Sequence, residues 1–193
     1  MYINSYLESS MVDLLQYRME KVTEVCAAQI NIGNRFIILL RIYRSLSGNF
    51  GKFSVQLDLI LKYLYKPIVE FSICGDLIVN FLIDSSSAQQ LTLLLQSYNL
   101  FYVIVTARMT EVSSSAIDNI FIDYSRKNSF IVFSLINGLS DHEAQYLCVN
   151  NIFDRQTGNF RLIRGLSYKY IGARNDTTQQ TNICLGLHMF PDL

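Results

Sequence analysis

Residues 36–43 read Phe-Ile-Ile-Leu-Leu-Arg-Ile-Tyr, and residues 71–76 read Phe-Ser-Ile-Cys-Gly-Asp. Between them Phe53, Leu57, Ile60, Leu61 and Leu64 fall at i, i+4, i+7, i+8 and i+11. The first run is short, nearly all apolar, and rich in β-branched and aromatic side chains. That is the pattern of a strand buried on both faces. The middle positions form one apolar stripe at helical spacing, and Pro67 follows as a stop. The last run is a second buried strand closed by a Gly-Asp turn. Strand, helix and strand in that order mark an α/β chain.

The pattern extends in both directions. Val22–Ile32 suits a strand, joined to residues 36–43 by a hairpin turn at Gly33-Asn34. Downstream, Leu91, Leu94, Leu95 and Tyr98 share a helical face, with Ser85, Ser86 and Ser87 offering the N-cap. Strands are expected over 101–105, 116–122, 130–136 and 144–149, with a turn at Ser113–Ser115. The sum is an α/β sandwich with mixed sheets over residues 1–152. Residues 153–193 lose apolar periodicity and read as a weakly structured linker or tail.

Composition narrows the class. The chain has 193 residues, of which 50% are hydrophobic and 17% charged, which excludes disorder on composition. Lys+Arg and Asp+Glu are equal at 16 each, so the overall basic footprint of a stand-alone nucleic-acid binder is absent. The longest aliphatic run, Phe36–Leu40, ends at Arg41 and is far short of the ~20 residues of a membrane span. The start, MYINSYLESS, has neither a basic n-region nor an apolar h-region. The expected location is intracellular, nuclear or cytoplasmic, neither secreted nor membrane-bound. Cys26, Cys74, Cys148 and Cys184 form no CxxC pair, and they read as reduced core cysteines.

Three clusters could carry chemistry, because each places acids or a histidine at a strand end, where α/β sheets mount functional groups. Asp76 follows an apolar strand, though a Gly-Asp there also serves as a plain turn. Asp118 interrupts the apolar text AIDNIFID. A carboxylate buried there needs a partner, whereas one on a solvent-facing position does not. Ser140-Asp141-His142 precedes a strand, and His142 is either a surface or capping residue or a catalytic base.

Taken in order, EVCAAQINI (24–32), IYRSLSGNF (42–50), EFSICGDLIVNFL (70–82), LLLQSYNLF (93–101), AIDNIFID (116–123) and INGLSDHEAQYL (136–147) resemble the endonuclease/exonuclease/phosphatase superfamily. The text is most similar to the apurinic-type endonuclease domain of insect non-LTR retrotransposon polyproteins. The resemblance covers about residues 12–153. It implies an incomplete DNase I-like four-layer α/β sandwich with mixed, mostly antiparallel sheets, lacking the first strands. It also implies magnesium-dependent cleavage of DNA phosphodiesters. By that resemblance His142 is the base, Asp118 orients it, Asp141 holds metal, Asp76 positions the nucleophile or leaving group, and Tyr43 contacts phosphate. Arg44 and Ser140 stand in the same motifs, and Arg108 in Thr106-Ala107-Arg108, which matches the family's Pro-Thr-Arg, all at the substrate. No small-molecule cofactor is implied, and absent strands would leave sheet edges open to self-association.

The departures from the family pattern matter for activity. Where the family has Gly-Asp-x-Asn, this chain has Gly75-Asp76-Leu77-Ile78, and an isoleucine neither donates nor accepts. Asn80, two residues on, does not reach the same place if the strand continues. Leu46 replaces a proline, and Ala107 replaces a threonine. Glu8, Glu20 and Glu24 do not stand in the context of the family's metal-binding glutamate. Three functions stay open: an impaired Mg²⁺ endonuclease, a non-catalytic remnant, or a DNA-binding module using Arg155, Arg161, Arg164, Lys169 and Arg174.

Overall fold

A computed structural model describes residues 1, 3–66, 69–103, 108–109, 114–135, 144–149 and 183–187. β1 (Glu8–Val12), β2 (Thr23–Ile32) and β3 (Arg35–Arg44) form an antiparallel meander. The turn between β2 and β3 is at Gly33-Asn34 as expected, with Gly33 at φ +57°. β1 was not foreseen: ESSMV lies on the sheet edge with four of its five residues exposed, so it has no apolar alternation to read.

Helix α1 (Phe50–Leu64) crosses from β3 to the parallel strand β4 (Val69–Asp76), the βαβ unit expected from the apolar pattern. Asn49 caps the helix, its side chain accepting from the Lys52 amide at 3.0 Å. Pro67 lies outside the described residues. Helix α2 (Ser86–Gln96) is capped by Ser85, which accepts from the Ala88 amide at 3.2 Å. It leads into β5 (Leu100–Val103).

β6 (Arg108–Met109) and β7 (Ser114–Ser115) form a two-residue ladder, so part of the expected serine turn is extended. β8 (Asp118–Asp123) then runs antiparallel between β4 and β5 and completes a six-stranded sheet in the order β1-β2-β3-β4-β8-β5. β9 (Phe130–Leu135), β10 (Ala144–Val149) and β11 (Ile183–Leu187) make a second, antiparallel sheet. The expected tail therefore contributes one strand, β11, and its other residues lie outside the described ones.

The six-stranded sheet has two apolar faces. Ile38, Leu40, Ile42, Phe71, Ile73 and Phe121 pack with Phe53, Leu57, Ile60 and Leu61 of α1 and with Leu91 and Leu95 of α2. On the other face Ile30, Ile37, Cys74, Ile120 and Ile122 pack with Leu147 and Val149 of β10, and Ile3 and Leu7 close over the same cluster. At the far end of the sheet from Asp76, Arg126 forks onto Glu70 with two bonds of 2.7 Å.

The cysteines depart from the reduced set that the sequence suggests. Cys26 and Cys74 are free thiols. Cys148 is disulfide-bonded, and its register partner on β11 is Cys184. Direct cross-strand opposition is a tertiary relation that a spacing of 36 residues conceals. Among the described residues no helix is long and apolar enough to cross a membrane.

Candidate active site

The strands that carry Tyr43, Asp76 and Asp118 end at the same edge of the sheet. Asp76 is the register partner of Tyr43 on β3 and of Asp118 on β8. Tyr43 is in turn opposite Glu24 on β2. A single row thus runs Glu24, Tyr43, Asp76, Asp118 across four strands. Alternation from Leu39 and from Ile120 puts Tyr43 and Asp118 on the face turned away from the helices. Tyr43 is 38% exposed, Asp76 only 7%.

Gly75 makes this row possible. Its φ is +148°, and a Cβ there would come within 1.7 Å of the Ile42 carbonyl oxygen. Only glycine lets β4 lie so close to β3 just before Asp76. Asp76 then folds the chain back on itself, its Oδ1 accepting from the Ile78 amide at 3.0 Å. β4 stops at Asp76, so Asn80 is not on a continued strand. Its Oδ1 instead accepts from the Leu82 and Ala116 amides, both at 3.0 Å, and ties the turn after β4 to the entry of β8.

Arg44, expected at the substrate, stands on the opposite face, because it follows Tyr43 by one residue in an alternating strand. It is 8% exposed. Nε donates to the Leu77 carbonyl at 2.8 Å, Nη2 to the Ile78 carbonyl at 2.9 Å, and Nη1 to the Gly48 carbonyl at 2.8 Å. The guanidinium lies 5.9 Å from the ring centres of both Phe50 and Phe53. Burial pushes its pKa below the usual arginine value, and the nearby Asp76 charge works in the opposite direction. In this geometry Arg44 clamps the turn behind Asp76 to the loop before α1.

The clamped turn holds Ile78 at φ +49°. A β-branched side chain in the left-handed region is strained, whereas asparagine and glycine adopt it readily. Ile78 thus combines an apolar side chain with a backbone that suits a small polar one.

Asp76 and Asp118 are directly opposed in an antiparallel pair, which keeps Cβ atoms about 4.5–5.5 Å apart. Two carboxylates so placed repel unless a cation, a proton or a hydrogen-bond donor accompanies them. Asp118 also anchors the second sheet, its carbonyl accepting from Gln145 Nε2 at 2.8 Å. His142, Asp141 and Ser140 lie outside the described residues. Only the backbone of Arg108 is described, in β6. Among the described residues no three His, Cys, Asp or Glu side chains gather as a metal site. Glu24 has no assigned role in the sequence because it does not stand in the context of the family's metal-binding glutamate. Strand pairing places it in the row, and no linear signal could have done so.

No family model matches the sequence, and no curated protein matches it. Solved structures do. The endonuclease domain of TRAS1, a telomere-specific non-LTR retrotransposon, matches with a TM-score of 0.56 at 14% identity, covering 72% of this chain and 67% of that one. An endonuclease/exonuclease/phosphatase family protein from Leptotrichia buccalis gives 0.44 at 15% identity, over 62% of this chain and 50% of its own. D. rerio TDP2, complexed with a single-strand DNA product, gives 0.41 at 12% identity, over 67% of this chain and 57% of its own. The first of these shows the fold. The chain has the same DNase I-like fold, and the described residues supply one six-stranded sheet and three strands of the second.

Proposed function

We propose, on the strength of this DNase I-like fold, that the chain is a nuclease-type domain whose Tyr43–Asp76–Asp118 row engages a DNA phosphodiester, and that its turnover is impaired. The observation that carries the reading is the row itself: three residues singled out in separate motifs become register neighbours at one sheet end. The endonuclease domain with the same fold comes from a retrotransposon, which supports DNA as the partner.

The residues present suit a divalent cation in part. Asp76 and Asp118 are hard oxygen donors of the kind magnesium takes, and they would hold the cation from opposed register positions. Asp141, by its motif, is a third donor. When bound, the metal supplies charge stabilisation on the phosphodiester oxygens. The chain's own residues do the rest. Tyr43, 38% exposed, binds and orients a phosphate oxygen through its hydroxyl. Asp118 orients the His142 imidazole, which takes the proton from water. Asp76, fixed by the Ile78 amide and by Gly75, positions the attacking or leaving oxygen.

Ile78 favours a second reading, a non-catalytic DNA-binding remnant. It stands directly behind Asp76 and offers no polar group to the transition state. Loss of one such positioned group typically costs about 10²–10³ in rate.

The test is nicking of supercoiled plasmid by the full chain in Mg²⁺. We expect slow nicking, abolished by His142→Ala and by Asp118→Asn. A folded protein that leaves plasmid intact at high concentration sinks the enzyme. DNA binding by the same preparation would then establish the remnant.

A further inference from the structure

Arg41 stands one row below Tyr43 on β3, with Cys26 and Cys74 as its register partners. It shares the face of Leu39 and Tyr43, turned away from the helices, and its charge acts on the buried Cys74 thiol. It is half-buried.

The other arginines with described side chains all have partners. Arg18 Nε donates to the Val25 carbonyl at 3.3 Å, Arg35 pairs with Glu70 at 3.6 Å, Arg44 holds its three carbonyls, and Arg126 forks onto Glu70. Among the described residues Arg41 makes no hydrogen bond or ion pair. Arg41 as a residue is half-buried, and any of its five N–H donors held out of reach of water costs free energy when unmatched. Structural burial explains Arg44 but not Arg41, because no described residue on its own face receives it.

Its neighbours narrow the ligand. Tyr43, two residues along and about 6.7 Å away on the same face, is 38% exposed and carries a hydroxyl. A planar fork beside a hydroxyl matches the non-bridging oxygens of a phosphate group. Glu24 and Asp76, one row up, disfavour a compact multiply charged anion. A phosphodiester carries a single charge spread over two oxygens, and a nucleic-acid strand presents such groups in series.

We propose that Arg41 is a phosphate-binding residue of this site, holding a backbone phosphodiester adjacent to the one at Tyr43. The inference rests on the nuclease-type reading above and extends it to a residue outside the family-like motifs.

The experiment is fluorescence anisotropy of a labelled DNA duplex with the full chain in EDTA, across a salt series. Arg41→Gln is expected to bind about tenfold more weakly and to lower the slope of log K against log salt by about 0.9, the share of one phosphate contact. Arg41→Lys keeps the charge but loses the fork, so it should retain the slope and bind about threefold more weakly. Lys52→Gln, on the exposed side of α1, should match wild type.

A folded Arg41→Gln with unchanged affinity and slope overturns the proposal while leaving the nuclease reading intact. So does a Lys52→Gln effect of equal size, which would mark a general charge effect. If Arg41→Gln does not fold, Arg41→Lys decides: binding identical to wild type removes the fork. Wild-type protein that binds no duplex at all overturns the nuclease reading itself.

Discussion

Arg44 Nη2 donates to the carbonyl of Ile78 at 2.9 Å, and Ile78 is held at φ +49°. The two facts belong together. A turn carrying a β-branched residue in the left-handed region does not form by local preference, so a buried guanidinium has to hold it there. The same clamp fixes the direction in which the chain leaves Asp76.

Arg44→Met should therefore destabilise the fold by about 3–5 kcal/mol, the range for breaking a buried, multiply bonded charge. Leu77, Ile78 and Gly48 would each be left with a carbonyl short of its donor. Arg44→Lys should recover little, since one ammonium cannot span carbonyls on two loops. Urea denaturation of the two variants checks both values, and a loss below about 1 kcal/mol would show that the clamp is not needed.

Ile78→Asn should stabilise the protein by about 1 kcal/mol, because asparagine adopts the left-handed region with less strain. Ile78→Val keeps the branch at Cβ and should give no gain. The same Ile78→Asn variant is expected not to raise plasmid nicking to a robust level, since Ala107 and the metal glutamate still depart from the family pattern. Thermal melts and the nicking assay read the two outcomes separately.

Helices α1 and α2 are joined by Tyr98, whose hydroxyl donates to Asp58 Oδ1 at 2.6 Å, while Lys62 Nζ sits 2.6 Å from Oδ2. Hydrogen bonds from Lys62 and then Tyr98 hold the Asp58 carboxyl below its ordinary value. A depressed acid contributes stability above its unfolded pKa and loses it as pH falls through the folded one. Tyr98→Phe should thus cost about 1 kcal/mol at pH 7 and markedly less once the pH has fallen through the lowered pKa of the folded Asp58 carboxyl. A pH-independent cost, measured by urea denaturation, would mean that Asp58 does not titrate with this contact.

Burial pushes the Cys74 thiol up to about 12. It should therefore stay protonated and resist alkylation at pH 8 in the folded protein, while half-buried Cys26 reacts first. Mass mapping after brief iodoacetamide treatment distinguishes them. Equal labelling of both thiols under native conditions would show that the second face of the sheet opens.

Much of the fold was legible in linear text. The stripe from Phe53 to Leu64, the buried runs at 36–43 and 71–76, and the hairpin at Gly33-Asn34 are local patterns, and each formed its element. What failed lacked a local signature. β1 is an exposed edge strand, and β11 lies in a stretch without periodicity, paired only because β10 offers a free side. Arg44 shows the same limit at the site. Its motif placed it beside Tyr43, but strand alternation turns neighbouring residues to opposite faces, so one meets solvent and the other the helices.

The sequence by itself determined the alternating α/β architecture and marked Asp118 as a charge set in apolar text, because periodicity and a misplaced charge are properties of neighbours along the chain, whereas Tyr43 and Asp76 drew their roles from the family resemblance. Only the tertiary structure decided that these residues share a row, that Glu24 joins it, and that Arg41 faces it while Arg44 does not. Those relations depend on which strands pair and in what register, and a strand's own residues do not encode its partner.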